Sequence, residues 1–397
     1  MYFFYIIYIY AIRYGSHRCM YMKQRYRRSI GKIAAGLIIV VVVLAAVGIA
    51  YFAFLSGHKA PPTNQLSGTL SETGSSLLYP LFNLWVPGFK ALYPGVQLNT
   101  ASTGSGTGIS SAETGVVQIG ASDAYMSNAQ ISQYPNILNI PLAISAQQIN
   151  YNIPGLPASI HLNMSGPVLA QIYMGKILYW DDPAIVAANP GATQYLTHQH
   201  IIPIHRSDGS GDTFIFTQYL SKTYPAWNSS VGFGTSVSWP ALQVQDTGNG
   251  NGGMVNALAK DKYGIAYIGV SYLLQTVNEG LGYAYLLNQA GNYVNITQQN
   301  IQAAANSLVS QTPPDERISL IYAPGANSYP IINYEYAIVS KSQPDANTAL
   351  LIRTFLSWAI SPNGGNSPTY LNQVGFIPLP SSVVQLSQAQ INQIQGP

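Results

Sequence analysis

The sequence predicts an α/β fold, because short apolar strands alternate with segments of helical spacing along most of the chain. The part that follows residue 57 has about 340 residues, which is long enough for a large core and for two lobes. Hydrophobic residues make up 47% of the chain, a fraction that excludes a disordered protein. No internal repeat is visible.

The predicted elements alternate from residue 67 onwards. Strands are expected at 67–76 (with a turn), 96–102, 117–123, 140–155, 263–269 and 334–340. Helices are expected at 77–94, from residue 108, and at 165–180, 211–227, 250–261 and 348–360. Pro80 is compatible with the first of these helices, because proline is tolerated in a first turn.

The charge distribution argues against a nucleic-acid-binding protein. Of the 17 Lys and Arg residues, seven precede residue 33 and ten follow it, whereas all 14 acidic residues follow residue 57. The large domain therefore has a formal charge of −4, without the excess of basic residues that nucleic-acid binding requires. Cys19 is the only cysteine of the chain, so a disulfide framework or a cysteine-based zinc site is not expected.

An uncharged apolar segment at 33–57 is long enough to cross a bilayer as a helix. Because the residues before it are strongly basic, we expect residues 1–32 to stay cytoplasmic and the large domain to lie outside the cell, as in a single-pass membrane protein. A cleaved signal peptide is the alternative, but the apolar run is long for one. Residues 58–67 are predicted to be a linker, and translation could start at Met1, Met20 or Met22.

A glycine-rich turn in IHRSDGSGDTFIFTQYL (204–220) gives the densest signal for a ligand site. A strand is expected to end at His205 and a helix to start near Asp212 or Thr213. Backbone N–H groups at a helix start lack intrahelical acceptors, and the helix dipole adds positive potential there. Ser210 adds a hydroxyl donor, and Arg206 adds a fork of N–H donors suited to phosphate. Taken alone, the segment is also compatible with an ordinary capped turn.

Two more turns of small residues open predicted helices, TGSGTGISSAETG (103–115) and TGSSLLYP (73–80). Each is a weak signal alone, because many loops have this composition. Three such helix starts in one chain indicate convergence on one oxyanion, although three unrelated turns remain an alternative.

Asp123 follows an apolar strand directly, in GASDAYMS (120–127). An ionised aspartate accepts a hydrogen bond from hydrogen phosphate, which carries an O–H, and repels sulfate, which carries none. The residue therefore predicts a preference for phosphate over sulfate. A turn or N-cap aspartate is the alternative interpretation.

Together these motifs resemble the phosphate-binding proteins of the high-affinity phosphate ABC transporter. The resemblance covers roughly residues 68–385 and is strongest in GSGTGISSAETGVVQIGASDAYMS and HRSDGSGDTFIFTQYLSKTYPAWN. The segments GKILYWDDPAIVAANPG, SVSWP and GNGNGGMVNALAKDKYGIAYIG also look like parts of this family and follow its order.

The resemblance implies phosphate contacts from residues of all these loops: Ser76, the amide of Leu77, Ser105, Asp123 as proton acceptor, Arg206, Ser210 and Gly211. It also implies that Asp208 pairs with Arg206 and orients it. The family often has Thr-Phe where this chain has Ser76-Leu77, a change that keeps a hydroxyl. It often has threonine where this chain has Asp212, so a donor becomes an acceptor. In an acidic exterior Asp212 could accept a second proton from dihydrogen phosphate, or it could cap a helix that begins at Thr213.

By resemblance the fold is a two-lobed, periplasmic-binding-protein-like (type II) fold with a hinge. The chain would cross between lobes near 146–152 and 329–335. Lobe I would then comprise 68–146 and 331–397, and lobe II would comprise 147–330. Inorganic phosphate would bind in the cleft, and the membrane-spanning subunits of an ABC phosphate permease would receive it. We also expect a monomer without cofactor or metal.

Other functions stay open at this stage. The chain could bind another tetrahedral oxyanion, such as sulfate or molybdate. A secreted phosphatase or esterase is less favoured, because Ser210 lies in DGSGD and not in the GxSxG pattern of a nucleophile elbow. His198 and His200 could begin a metal site, but no cysteine or HExxH pattern supports them, and a surface loop is the preferred interpretation.

Overall fold

The computed structural model describes residues 66–397. The predicted basic segment at 1–32, the predicted anchor at 33–57 and all but the last two residues of the predicted linker at 58–67 lie outside this part. Within residues 66–397, none of the helices has the length and hydrophobicity needed to cross a membrane. The described chain alternates strands and helices, so the predicted α/β class is confirmed.

The strands of the described part are β1 (Gly68–Gly74), β2 (Val96–Ser102), β3 (Ile119–Ser122), β4 (Ile137–Tyr151), β5 (Asn163–Met164), β6 (Ile202–Arg206), β7 (Asp246–Gly248), β8 (Gly264–Gly269), β9 (Gly282–Tyr283), β10 (Tyr285–Leu287), β11 (Tyr293–Val294) and β12 (Ile332–Ser340).

The α-helices of the same part are α1 (Tyr79–Leu92), α2 (Ser105–Glu113), α3 (Asn128–Gln133), α4 (Gly166–Tyr173), α5 (Pro183–Ala188), α6 (Gly211–Thr223), α7 (Pro225–Ser230), α8 (Gly250–Lys260), α9 (Leu273–Asn278), α10 (Gln298–Leu308), α11 (Ala346–Ala359), α12 (Pro368–Leu371) and α13 (Ser381–Ile391). Short 3₁₀ turns lie at Pro190–Tyr195, Val270–Tyr272, Val309–Gln311 and Asn372–Val374.

One mixed sheet organises the described chain, with the strand order β2-β1-β3-β12-β4-β8-β6-β7 and with β9 beside β4. The long strand β4 connects its two halves. From Ile137 to Ala146 it pairs antiparallel with β12, and from Gln147 to Tyr151 it pairs antiparallel with β8. We call β2, β1, β3 and β12 the first half-sheet, and β8, β6 and β7 the second half-sheet. A separate small sheet has the order β11-β10-β5.

Parallel pairing puts the loops of interest at corresponding strand ends. In the first half-sheet β1 pairs parallel with β3, and in the second half-sheet β6 pairs parallel with both β7 and β8. Ligands of open α/β sheets bind beyond the carboxyl ends of such strands. The loops that follow β1, β3 and β6 all lie at carboxyl ends.

An aromatic cluster packs α1 against α11 behind the first half-sheet. Phe82, Trp85 and Phe89 of α1 meet Phe355 and Trp358 of α11. The rings of Phe89 and Phe355 have centroids 5.1 Å apart in an edge-to-face arrangement. Burying side chains of this size stabilises the fold by about 1.5–3 kcal/mol each. The cluster therefore anchors the helix whose start forms the β1–α1 loop.

Several element ends differ from the sequence prediction for local reasons. The helix predicted at 165–180 ends at Tyr173, and Gly175 just beyond it has a φ of 67°, a left-handed conformation that glycine tolerates. The helix predicted at 211–227 is divided into α6 and α7, because Tyr224 precedes a proline and takes an extended conformation. Strand β4 spans 137–151 and not 140–155.

Candidate anion-binding site

The β1–α1 loop brings two serines to the end of the sheet. Ser75 accepts a hydrogen bond from the backbone N–H of Leu78 at 2.9 Å and donates its own hydroxyl to Asp123 Oδ1. Ser76 Oγ accepts from the backbone N–H and from the side-chain amide of Asn251, each at 3.0 Å. Among the described residues, the backbone N–H of Leu77 has no hydrogen-bond acceptor. The loop thus bonds with the residue that follows β3 and with helix α8, which follows β7.

Helix α2 begins at Ser105, three residues before the predicted start. The Ser105 hydroxyl contacts Asp123 twice, since it accepts from the Asp123 backbone N–H at 3.2 Å and donates to Asp123 Oδ2 at 3.3 Å. The backbone N–H of Gly106 donates to Gly209 O at 2.8 Å. These contacts place the predicted second loop beside both Asp123 and the third loop.

Helix α6 begins at Gly211, and Ser210 is its N-cap, because its hydroxyl accepts from the Thr213 N–H at 3.2 Å. The interpretation of Asp212 as the cap of a helix that begins at Thr213 is therefore wrong. The first N–H groups of the helix, those of Gly211 and Asp212, have no acceptor among the described residues. A Cβ on Gly211 would lie 2.5 Å from Asp123 Oδ2, so only glycine allows this close approach.

Arg206 is almost completely buried at the end of β6. Its Nε donates to Asp208 Oδ1 at 2.7 Å and its Nη2 to Asp208 Oδ2, and its Nη1 donates to Asp212 Oδ2 at 2.9 Å. A guanidinium has five N–H donors, so these bonds leave one on each terminal nitrogen. Asp208 thus pairs with Arg206 as the sequence implied.

The two carboxylates keep this guanidinium charged. Burial by itself lowers the pKa of Arg206, but the Asp208 hydrogen bond and the charges of Asp212 and Asp208 outweigh burial and raise it. Burial acts to raise the pKa of Asp208, and the hydrogen bond and charge of Arg206 lower it overall. Arg206 and Asp208 therefore form an ion pair at any physiological pH.

Asp212 is fully buried, and protein donors occupy both of its oxygens. Oδ1 accepts from Gln147 Nε2 at 3.1 Å, and Oδ2 accepts from Arg206 Nη1 and from Asn251 Nδ2 at 2.7 Å. Burial, and then the charge of Asp123, raise the pKa of Asp212 to about 7, despite the opposing effect of Arg206. Asp212 therefore changes its charge near neutral pH and holds both Arg206 and Asn251 in place.

Asp123 lies where the loops meet. Its side chain accepts from Ser75 and Ser105, and its backbone carbonyl accepts from Asn333 Nδ2 at 3.2 Å. Burial raises the pKa of Asp123, although the hydrogen bond from Ser75 and the charge of Arg206 act to lower it. The carboxyl group is thus held in a fixed orientation between α2 and the start of α6.

The structure brings the predicted residues of the site together at the carboxyl ends of β1, β3 and β6, in two hydrogen-bonded groups, one around Asp123 and one around Arg206 and Asp212. It adds four residues that the sequence analysis missed: Ser75, Gln147, Asn251 and Glu335. Asn251 lies in the predicted glycine-led helix after GNG, where a helix start was already expected. Glu335 is an acidic residue within the apolar strand YEYAIVS, and a buried carboxyl of this kind is itself a signal of a polar partner. Gln147 carried no signal.

The cluster contains one guanidinium and four carboxyl groups: Asp123, Asp208, Asp212 and Glu335. With all four ionised its net charge would be −3, which would repel any anion. An anion can therefore bind here only if it brings protons or if the carboxyl groups hold some. Within residues 66–397, no group of His, Cys, Asp and Glu side chains is arranged to hold a metal ion.

Comparison with known proteins agrees with this geometry. The model of the PBP superfamily domain matches residues 59–363. The phosphate-binding protein PstS of Methanocaldococcus jannaschii is 30% identical over 357 residues, covering 85% of this chain and 90% of that protein. This chain belongs to the PstS family of the PBP superfamily. A PstS of Pasteurella multocida is 34% identical over 322 residues, or 81% of this chain and 89% of that protein.

Solved structures of the family share the fold. A high-affinity periplasmic phosphate-binding protein, solved with phosphate bound, has a TM-score of 0.64 at 21% identity and covers 81% of this chain and 93% of its own. A phosphate-binding protein from Stenotrophomonas maltophilia has a TM-score of 0.61 at 18% identity, and the match covers 81% of this chain and 94% of that protein. The two-lobed α/β fold expected from the resemblance is thus confirmed.

Proposed function

We propose that this protein binds inorganic phosphate outside the cell and delivers it to the membrane-spanning subunits of an ABC-type phosphate importer. The observation that carries the proposal is the combination of donors and one acceptor in a single buried cluster. Arg206 retains an N–H on each terminal nitrogen, and the N–H groups of Leu77, Gly211 and Asp212 lack protein acceptors among the described residues. Asp123 supplies the acceptor that a protonated oxyanion needs.

The ligand residues follow from these groups. In this proposal the hydroxyls of Ser76 and Ser210, the amides of Leu77 and Gly211 and the guanidinium of Arg206 donate to phosphate oxygens. The Ser105 hydroxyl, which donates to Asp123 Oδ2 in this structure, would turn to phosphate and leave Oδ2 free to accept from it. Asp123 accepts from the phosphate O–H. Asp208 and Asp212 orient Arg206 through the ion pairs described above. A direct contact of Asp212 with phosphate is less favoured, because its two oxygens already accept from three protein donors, Gln147, Arg206 and Asn251, whereas each oxygen of Asp123 accepts from a single serine hydroxyl.

The change of partner along β4 supports a boundary between two lobes. We assign residues 68–146 and 331–397 to lobe I and residues 147–330 to lobe II. Support comes from β4, which leaves β12 and joins β8 between Ala146 and Gln147. Bonds such as those between Ser76 and Asn251 would then join the two lobes across the cleft.

The apolar segment at 33–57 would anchor the protein in the membrane, next to its permease. Residues 1–32 would remain in the cytoplasm and the large domain would lie outside. This part of the proposal has a simple test, because N-terminal sequencing of the mature protein should not reveal a start near residue 58.

Calorimetric titration of the purified protein with phosphate, sulfate and molybdate tests the ligand assignment. Phosphate should bind much more tightly than the other two anions, because sulfate and molybdate carry no proton for Asp123 at neutral pH. Sulfate binding as tight as phosphate binding would replace the proposal with a general oxyanion receptor. A phosphatase or esterase is not favoured, because the Ser210 hydroxyl caps α6.

A further inference from the structure

Glu335 lies beside Asp123 because of the register of the first half-sheet. Strand β12 runs antiparallel to β3 and pairs Tyr336 with Ser122, the last residue of β3. The next residue of the chain, Asp123, therefore lies next to Glu335. Both side chains are buried, and Glu335 has no exposed surface at all. Two carboxyl groups thus share one dry environment.

The two oxygens of Glu335 have different partners. Oε1 accepts from the Ser145 hydroxyl and from Asn333 Nδ2, the latter at 3.1 Å. Oε2 is buried and receives no hydrogen bond from any described residue. An ionised carboxylate oxygen without a donor is costly in such a place, whereas a protonated one can itself donate. The pattern places a proton on Oε2, and Asp123 is the acceptor beside it.

We propose that Glu335 is a positioning residue that acts as a neutral carboxylic acid, donates a hydrogen bond to Asp123, and thereby holds Asp123 ionised for a protonated oxyanion. This inference rests on the proposed phosphate binding for its function, but the shared proton exists with or without ligand. Asn333 fixes the arrangement, because the same amide nitrogen donates to Glu335 Oε1 and to the backbone carbonyl of Asp123. Glu335 does not itself need to touch the ligand.

The electrostatics of the surroundings agree with one shared proton. Burial, and then the charge of Asp123, raise the pKa of Glu335 well above its ordinary value. Close carboxyl groups release their protons in two separate steps that belong to the pair. Two further charged groups act on the pair: Asp212 of α6, which interacts with Asp123, and Arg206 of β6, whose charge lowers the pKa of Asp123.

The other elements packed on this part of β12 bring little charge. Strand β4 contributes the Ser145 hydroxyl. Helix α2 contributes Ser105, and its titratable Glu113 lies at the far end of that helix, where Gln130 Nε2 donates to it. The titration of the pair therefore depends on Asp123, Asp212 and Arg206.

The proposal makes a specific statement about pH. While the pair holds its proton, Asp123 carries one negative charge and Glu335 none. At a pH high enough to remove the proton that Asp123 and Glu335 share, a second negative charge appears beside the ligand, and the affinity for phosphate falls. Glutamine at position 335 would keep the same pattern permanently, because its carbonyl can accept from Ser145 and Asn333 and its amide can donate to Asp123.

The test compares wild type with Glu335→Gln and Glu335→Leu in full-length purified protein, with phosphate and sulfate titrated calorimetrically across a range of pH. At low pH Glu335→Gln should bind phosphate within about threefold of wild type, since the hydrogen bond is conserved. As the pH rises, its affinity should exceed that of wild type progressively. Glu335→Leu should lose roughly 10- to 100-fold in phosphate affinity and narrow the gap to sulfate, because Asp123 loses a donor to its charged form.

Parallel pH profiles for wild type and Glu335→Gln would overturn the proposal. The thermal unfolding temperature of each variant, compared with that of wild type, shows whether a loss of phosphate affinity comes from misfolding. The infrared difference spectrum of the ligand-free proteins, wild type minus Glu335→Gln, should contain the carbonyl band of a buried carboxylic acid, because the bands of the other buried acids are common to both proteins and cancel. Absence of that band would also refute the shared proton. A band present in a protein that does not bind phosphate would instead refute the proposed function and leave the shared proton standing.

Discussion

Replacing Arg206 with alanine removes two kinds of interaction at once. The first is the pair of N–H groups that remain after the bonds to Asp208 and Asp212, one on each terminal nitrogen. Each hydrogen bond to a charged ligand contributes about 1.5–3 kcal/mol, so their loss costs about 3–6 kcal/mol of binding free energy. At about 1.4 kcal/mol per factor of ten, Kd should rise by roughly 10² to 10⁴-fold.

The second kind is the charge balance of the cluster. Without Arg206 the carboxylates of Asp208 and Asp212 lose their ion-pair partner, and both would disfavour an anion. Arg206→Lys separates the two effects, because lysine keeps the charge and loses the planar fork. We therefore expect Arg206→Lys to bind more weakly than wild type and more tightly than Arg206→Ala.

Isothermal titration calorimetry measures the Kd of both variants for phosphate, and Arg353→Ala serves as the matched control. Arg353 donates to Ile394 O, far along the chain from the site, so its removal should leave Kd unchanged. Thermal unfolding of each variant shows whether a loss of binding reflects a loss of fold. If Arg206→Ala bound phosphate as tightly as wild type, the site would have been placed in the wrong loops.

Three further predictions follow from the buried acids. Asp123→Asn should narrow the affinity gap between phosphate and sulfate, because the amide can donate to sulfate; an unchanged ratio in competition titrations would contradict this role. Asp212→Asn should weaken phosphate binding, because its NH2 group would face a donor where the carboxylate accepts, but the loss should shrink above about pH 7, where ionised Asp212 repels the anion in wild type; titration curves that stay parallel across pH would end this explanation. Burial raises the pKa of Glu72 well above 4.5, so its stabilising effect is complete below pH 4.5 and declines by about 1.4 kcal/mol per pH unit up to its folded pKa. Glu72→Gln should remove that decline from the pH dependence of the unfolding free energy, and urea titrations that show the same slope in both proteins would refute it.

Sequence patterns predicted most of the elements and the three helix starts, because periodicity and glycine-rich turns are local properties. They did not identify Ser210 as the cap of α6 and offered Asp212 for that role, since both residue types are favoured as caps and helix ends are uncertain by a residue or two. They also could not assign partners over long sequence distances. Asn251 bonds to Ser76 across 175 positions, and only the fold brings those two residues together.

The same limit applies to Glu335. Its neighbour Asp123 is distant in sequence, and the contact depends on the register between β12 and β3. A strand pattern shows which residues are buried, but it does not show which residue of another strand lies opposite. The residues implied by family resemblance were those with a recognisable loop motif, whereas two of the missed residues, Gln147 and Glu335, lie inside regular strands, where no loop motif marks them.

The backbone bond from Gly106 N–H to Gly209 O, at 2.8 Å, has a consequence for how affinity evolves. In the proposed lobe assignment this bond forms only when the two lobes are together, and it does not involve the ligand. The measured Kd equals the intrinsic Kd divided by the fraction of molecules already competent to bind. A side chain at Gly106 would place its Cβ 3.1 Å from Gly209 Cα and so would lower that fraction. A substitution at this one glycine can thus change the measured Kd, and with it the lowest ligand concentration at which the receptor binds, while every ligand-contacting group remains the same.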